Sequence, residues 1–152
     1  MMKALFSNQI LIPALVAWLM AQVVKVPLEF LRTRKWNWAL LLNTGGMPSS
    51  HATLVSAMAH GIGLYEGFDT PLFALGFVLT AIVIYDATGI RRQAGLLAEL
   101  INAFISDLAA GHPIKEAQQK ELKELLGHTP LEAISGIVWG VIFATGFWYW
   151  WQ

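Results

Sequence analysis

A chain of 152 residues that is 56% hydrophobic and only 13% charged is too apolar for an ordinary soluble domain, and a lipid bilayer is the solvent it suits. Ten Lys and Arg balance ten Asp and Glu to a formal net charge of zero, which argues against nucleic acid as a partner. The absence of Cys excludes disulfides, thiolate nucleophiles and Cys-containing zinc sites, leaving His, Ser, Arg and carboxylates to carry any chemistry.

Four stretches are long and apolar enough to cross a hydrocarbon core, which takes roughly 20 helical residues each. The first, about Ile10 to Lys25, is short and is interrupted by Pro13 and Gln22. Met1-Met2-Lys3 ahead of it resembles a signal-peptide start, but no small-x-small cleavage site follows, so the segment reads as a retained span. The second, about Ser50 to Leu64, is the weakest by hydropathy because it holds Ser, Thr and two His. Its small residues Ala52, Ser56, Ala59 and Gly63 recur at helical spacing, which predicts close helix contacts, with the polar groups turned into the bundle.

The third span is Pro71 to Ile90. After it, Ala94 to Leu108 is amphipathic, with Leu96, Leu97, Leu100, Ile101, Phe104 and Ile105 on one side, and is predicted to lie in the interface or pack on the bundle. Ile114 to Leu126 alternates Lys and Glu and reads as a solvated helix. The fourth span, Pro130 to Trp151, opens on a helix-starting Pro and closes on Trp148-Tyr149-Trp150-Trp151, an interfacial aromatic belt. The expected fold is therefore an all-α integral membrane protein, one membrane-embedded domain over residues 1–152, with about four transmembrane helices plus one amphipathic and one solvated helix between spans three and four.

Four spans assign every connection to one of two sides, and nine of the ten Lys and Arg then share a side. Lys25, Arg32, Arg34, Lys35, Arg91, Arg92, Lys115, Lys120 and Lys123 fall there, while Lys3 lies opposite with Glu66 and Asp69. The positive-inside rule makes the basic side cytoplasmic, although cations that bind an anion would produce the same asymmetry. Trp36-Asn37-Trp38 on that side reads as an interface anchor.

Chemistry concentrates at two helix starts. Gly45-Gly46-Met47-Pro48-Ser49-Ser50-His51 places glycines and two hydroxyls before a helix that enters the membrane. Outward-pointing N–H groups and Ser hydroxyls there suit an anion; simple capping by Ser49 or Ser50 is the plainer reading. In Gly127-His128-Thr129-Pro130-Leu131-Glu132, Glu132 follows His128 by four residues, a helical spacing that sets a carboxylate against the imidazole and fixes its tautomer. A capping His and a favourable acid in the first turn is the alternative. Asp86, near the end of the third span, is costly there unless paired, and Arg91 or Arg92 is its expected partner. His60 and His112 read as bystanders.

These residues resemble a known family. Pro48-Ser49-Ser50-His51 is similar to the Pro-Ser-Gly-His motif of the type 2 phosphatidic acid phosphatase superfamily, which also includes vanadium haloperoxidases. His128-Thr129-Pro130-Leu131-Glu132 resembles its final His-x-x-x-Asp motif with Glu for Asp, and Lys25 with Arg32 resembles its first motif, in which lysine and arginine are separated by six residues and a proline follows. Three departures mark a divergent branch. Ser50 replaces Gly; Thr33 replaces the Pro after Arg32, so Arg34 competes for that role; and Arg91 or Arg92 precedes His128 by more than thirty residues, where the family has five. The Asp86-to-Arg92 stretch with the later Gly127-His128-Thr129-Pro130 resembles such a branch, made up of small bacterial and plastid membrane proteins.

What the resemblance implies is a metal-independent, cofactor-free phosphatase, expected in a bacterial inner membrane; the charge asymmetry predicts that its basic active-site face is cytoplasmic. His128 would be the nucleophile that forms a phosphohistidine, Glu132 its orienting carboxylate and His51 the acid for the leaving alcohol. Lys25, Arg32 or Arg34, Ser49, Ser50, and Arg91 or Arg92 would bind the phosphoryl oxygens, with Asp86 in support. The implied partner is a phosphorylated lipid: phosphatidylglycerophosphate, phosphatidic acid or a prenyl phosphate. A catalytically inactive anion- or lipid-binding membrane protein with the same fold is the alternative, and vanadate-dependent halide oxidation a third use of such a pocket.

Overall fold

The structure, a computed structural model, describes residues 5–42, 45–111 and 127–152. Five long helices carry it: α1 (Leu11–Thr33), α2 (Ser50–Glu66), α3 (Pro71–Thr88), α4 (Ile90–Gly111) and α5 (Pro130–Trp150), with a short 3-10 turn at Trp38–Leu41. No strand occurs among the described residues. The charged segment Ile114 to Leu126, expected as a solvated helix, and His112 lie outside them.

Local chemistry explains the helix boundaries. The Asn8 side-chain oxygen accepts the N–H groups of Ile10 and Leu11 at 3.0 and 2.8 Å, supplying the cap ahead of α1. Pro13 falls in the first turn, where its missing N–H costs nothing. The helix runs eight residues beyond Lys25, so the basic residues end the apolar run but not the helix. It stops at Arg34, which turns into the left-handed region (φ 57°) and donates its N–H to the Phe30 carbonyl. Thr70 caps α3 and Pro71 opens it, while Thr129 caps α5 ahead of Pro130.

α2 is the hub and packs against α1, α3 and α5. Its neighbours come close because small residues face each other, which lets helices associate by van der Waals packing where lipid gives no hydrophobic drive. A Cβ on Gly140 would lie 2.5 Å from the Thr53 carbonyl and 2.9 Å from the Ala57 nitrogen, and one on Gly136 would collide with the Ser49 carbonyl. Across α3, a Cβ on Gly76 would meet Ala59 Cα at 3.4 Å. Ala14, Ala17, Ala57 and Ala144 form the buried centre, with Leu54, Met58 and Phe143 packed on it.

The polar groups of α2 point inward as its sequence predicts: Ser49, Ser50, Thr53 and Ser56 are all buried. Hydrogen bonds also cross between helices, among them Thr80 Oγ1 donating to the Val55 carbonyl at 3.0 Å and His60 Nε2 meeting Thr145 Oγ1 at 3.0 Å. Large apolar side chains instead cover the outside, among them Leu19 and Val23 of α1, Leu75, Val78 and Ile82 of α3, and Ile134, Val138 and Ile142 of α5. Small and polar inside with large and apolar outside is the arrangement of a bundle solvated by lipid.

Three helical segments are long and apolar enough to span a membrane: Leu11–Thr33, Pro130–Trp150, and the 36-residue run Pro71–Ser106. Since 36 residues extend about 54 Å, against a core of about 30 Å, α3 alone suffices for the crossing and α4 continues beyond it. The second predicted span differs. At 17 residues, ten of them buried, α2 is shorter and more enclosed than a lipid-facing helix and lies in the centre of the bundle. The chain is an integral membrane protein of all-α fold.

Candidate functional site

The site begins at the N-terminus of α5. Thr129 and Glu132 form a reciprocal capping box: the Thr129 hydroxyl accepts the Glu132 N–H at 3.3 Å, and Glu132 Oε2 accepts the Thr129 N–H at 3.2 Å. The same Oε2 lies 3.0 Å from His128 Nδ1. An ionised carboxylate only accepts, so Nδ1 carries the proton and donates, and the Nε2 lone pair is left for chemistry. His128 is 2% exposed, and its Nε2 is buried with no hydrogen-bond partner. Its backbone N–H donates to the Ala87 carbonyl at 2.9 Å, which ties the start of α5 to the end of α3.

The second wall is the N-terminus of α2. Ser49 is the cap, its hydroxyl accepting the Ala52 N–H at 3.3 Å, and its own N–H donates to the Glu132 carbonyl at 3.0 Å. Through that bond the two helix starts hold each other in register. His51 then sits with its ring centroid 6.0 Å from that of His128, the planes crossed at 61°. Ser50, one residue earlier, accepts a hydrogen bond from Lys25 Nζ at 3.2 Å.

Lys25 supplies the third wall, from inside α1. It is 1% exposed, the one buried cation among the described residues, and Gln22 Oε1 accepts a second of its protons at 2.5 Å. An ammonium has three protons to donate, so Ser50 and Gln22 leave one for a ligand. Glu132 lies within electrostatic reach of this charge. A buried cation, an oriented imidazole with a free nitrogen and a second imidazole beside it can together hold and attack a tetrahedral anion. Among the described residues no group of three or more His, Cys, Asp or Glu is placed to hold a metal ion.

A family model described as the divergent PAP2 family matches residues 6–143. The chain belongs to that family. It is also 42% identical over 146 residues to the uncharacterized membrane protein YuiD of Bacillus subtilis (strain 168), an overlap of 91% of this chain and 92% of that protein. No solved structure matches.

The family motifs converge in part. Lys25, Ser49, Ser50, His51, His128 and Glu132 come together, whereas Arg32 and Arg34 are exposed at the end of α1 and Arg92 is exposed at the start of α4. Here α3 ends at Thr88, and Arg91 and Arg92 belong to the first turn of α4, because Gly89 interrupts the run between them. The Arg91 side chain lies outside the described residues. Asp86 is partly buried one residue before Ala87, whose carbonyl holds His128.

Two contributors escape motif reading. Thr129 is the residue that folds Glu132 back, and the S/T-x-x-E pattern of Thr129 and Glu132 is its visible signal. Gln22 is the other; its signal is an amide inside an apolar span, three residues before Lys25.

Proposed function

We propose that this protein is a lipid phosphate phosphohydrolase working through a phosphohistidine at His128. The observation that carries the reading is the state of His128: Nδ1 is engaged by Glu132 at 3.0 Å, while Nε2 is buried without a partner, beside His51. In the first step Nε2 attacks phosphorus, the P–N bond forms as the P–O bond to the lipid breaks, and His51 in its protonated form gives the leaving alcohol its proton. Glu132 offsets the positive charge that develops on the His128 ring. In the second step His51 accepts a proton from water, the oxygen attacks phosphorus, and the P–N bond breaks to release phosphate.

Lys25 and the Ser50 hydroxyl it contacts stabilise the phosphoryl oxygens, with Ser49, the exposed Arg32, Arg34 and Arg92, and Arg91 as further donors when a substrate draws them in. Fixed charges in a water-excluded site typically supply the largest share of such catalysis. A site at the helix ends, beside lipid-facing surfaces, suits a headgroup whose chains remain in the bilayer. Phosphatidylglycerophosphate, phosphatidic acid and prenyl phosphates are the substrates to test. We assign the site to the cytoplasmic face of a bacterial inner membrane on the charge asymmetry.

The test is phosphate release by the purified chain in vesicles containing each of these lipids. His128→Ala should abolish it and His51→Ala should lower it by about 10²- to 10⁴-fold, the usual weight of a general acid–base group. Radiolabelled substrate should leave an acid-labile phosphohistidine in the His51→Ala protein. Turnover that survives His128→Ala would overturn the mechanism. One observation favours an anion- or lipid-binding protein without turnover: Lys25 alone, among the described cations, is buried at the site. That reading predicts saturable vanadate binding with no phosphate released from any of the lipids.

A further inference from the structure

Gln22 stands in the middle of a membrane-spanning helix, where an amide is costly unless both its ends are satisfied. Both are. Its carbonyl oxygen accepts from Lys25 Nζ at 2.5 Å, and its NH2 donates to the carbonyl of Leu41 at 3.1 Å, in the 3-10 turn of the connection between α1 and α2. The same connection roofs the lysine: the Cβ position of Gly46 lies 3.7 Å from Lys25 Cδ and 3.8 Å from Leu40 Cδ2, and Gly46 holds a φ of 88° that favours glycine. Gln22 therefore joins the buried ammonium to the chain segment that covers it.

We propose that Gln22 is a positioning residue that holds the Lys25 ammonium against Ser50, at the phosphate-facing end of the site, and pins the Leu41 turn over it. A four-carbon stem allows Lys25 many rotamers. Two fixed acceptors, Gln22 Oε1 and Ser50 Oγ, select the one that presents the remaining proton to an anion. The inference rests on the reading of Lys25 as the cation of an anion site, and Gln22 itself touches no substrate.

The experiment uses the purified full chain, with inorganic vanadate as the phosphate-like probe and amine-reactive labelling of lysines read by mass spectrometry. In the parent protein Lys25 should label far more slowly than exposed Lys35. Gln22→Met should raise Lys25 labelling by about tenfold, the weight of a hydrogen bond to a charged group, and leave Lys35 unchanged. It should weaken vanadate binding by about tenfold in the parent and by less than about twofold in a Lys25→Met background, since a residue that acts through Lys25 has nothing left to position there. Gln22→Glu keeps an acceptor for the ammonium, so Lys25 should stay protected while vanadate binding weakens through competition by the new carboxylate.

Unchanged Lys25 labelling in Gln22→Met, or the same loss of vanadate affinity in both backgrounds, overturns the inference. If Gln22→Met does not fold, labelling of Lys25 in Gln22→Glu decides it, and fast labelling there overturns it. A parent chain that binds no vanadate would remove the anion site itself, and the labelling result alone would then judge whether Gln22 positions Lys25.

Discussion

Glu132 shows how one carboxylate can serve a fold and a site together. Its Oε2 closes the capping box on Thr129 and also accepts from His128 Nδ1. Glu132→Gln keeps an oxygen for one of these bonds but removes the charge that, in the proposed mechanism, would offset a positive imidazole. Phosphate release should fall by about 10²- to 10⁴-fold, as for orienting carboxylates in triads, with little change in melting temperature. Glu132→Ala should lose as much activity and in addition destabilise the fold by about 1 kcal/mol through the lost cap, measured by thermal unfolding in detergent. A Glu132→Gln protein of parental activity would remove Glu132 from the mechanism. The His128–Glu132 pair was legible from its spacing of four, but for a different physical reason. His128 lies before the helix, not on its face, and the contact forms because Thr129 folds the Glu132 side chain back toward the preceding loop.

At the scale of helices, glycine decides how near α5 comes to α2. Any Cβ at Gly140 would press on the backbone of Thr53 and Ala57, which cannot rotate aside as a side chain can. Gly140→Ala should destabilise the bundle by about 1–3 kcal/mol, the usual cost of overpacking. Gly146 lies on the same helix with nothing within 4 Å of an added Cβ, so Gly146→Ala should be neutral or stabilise by up to about 1 kcal/mol through helix propensity. Detergent melts of the pair separate close packing from propensity; equal shifts would mean that the α2–α5 contact is looser than described. The small-residue stripe of α2 was readable, since Ala52 and Ser56 do face the α5 glycines and Ala59 faces Gly76. The glycines opposite carry the same kind of signal, Gly136 and Gly140 standing four apart in the spacing of close helix packing, but that spacing does not name the partner helix. Helix ends were misread where hydropathy and helicity part: Lys25 ends the apolar run of α1, yet its ammonium turns into the bundle and the helix continues to Thr33.

For the whole molecule, the distribution of charge bears on which compartment the proposed site would serve. Arg32, Arg34, Lys35 and Arg92 are exposed at the end where α2 begins, and Glu66 and Asp69 are exposed at the end where it finishes. The 17 residues of α2 separate those ends by about 25 Å. This asymmetry was legible from composition once spans were assigned. Which arginines approach the site was not, because that depends on where α3 stops and α4 starts, and Gly89 sets it. The proposed assignment of the basic end, and with it His51 and His128, to the cytoplasmic face rests on the positive-inside rule. Because the chain has no Cys, Lys35→Cys and Asp69→Cys each report one face without background. A membrane-impermeant maleimide should label Asp69→Cys and not Lys35→Cys in intact cells, and the reverse in inverted vesicles. The opposite pattern would place the site on the outer face, where a headgroup made on the cytoplasmic side reaches it only after crossing the bilayer. The substrate to seek would then be a phosphorylated lipid released outside, so the labelling result belongs before any choice among phosphatidylglycerophosphate, phosphatidic acid and prenyl phosphates.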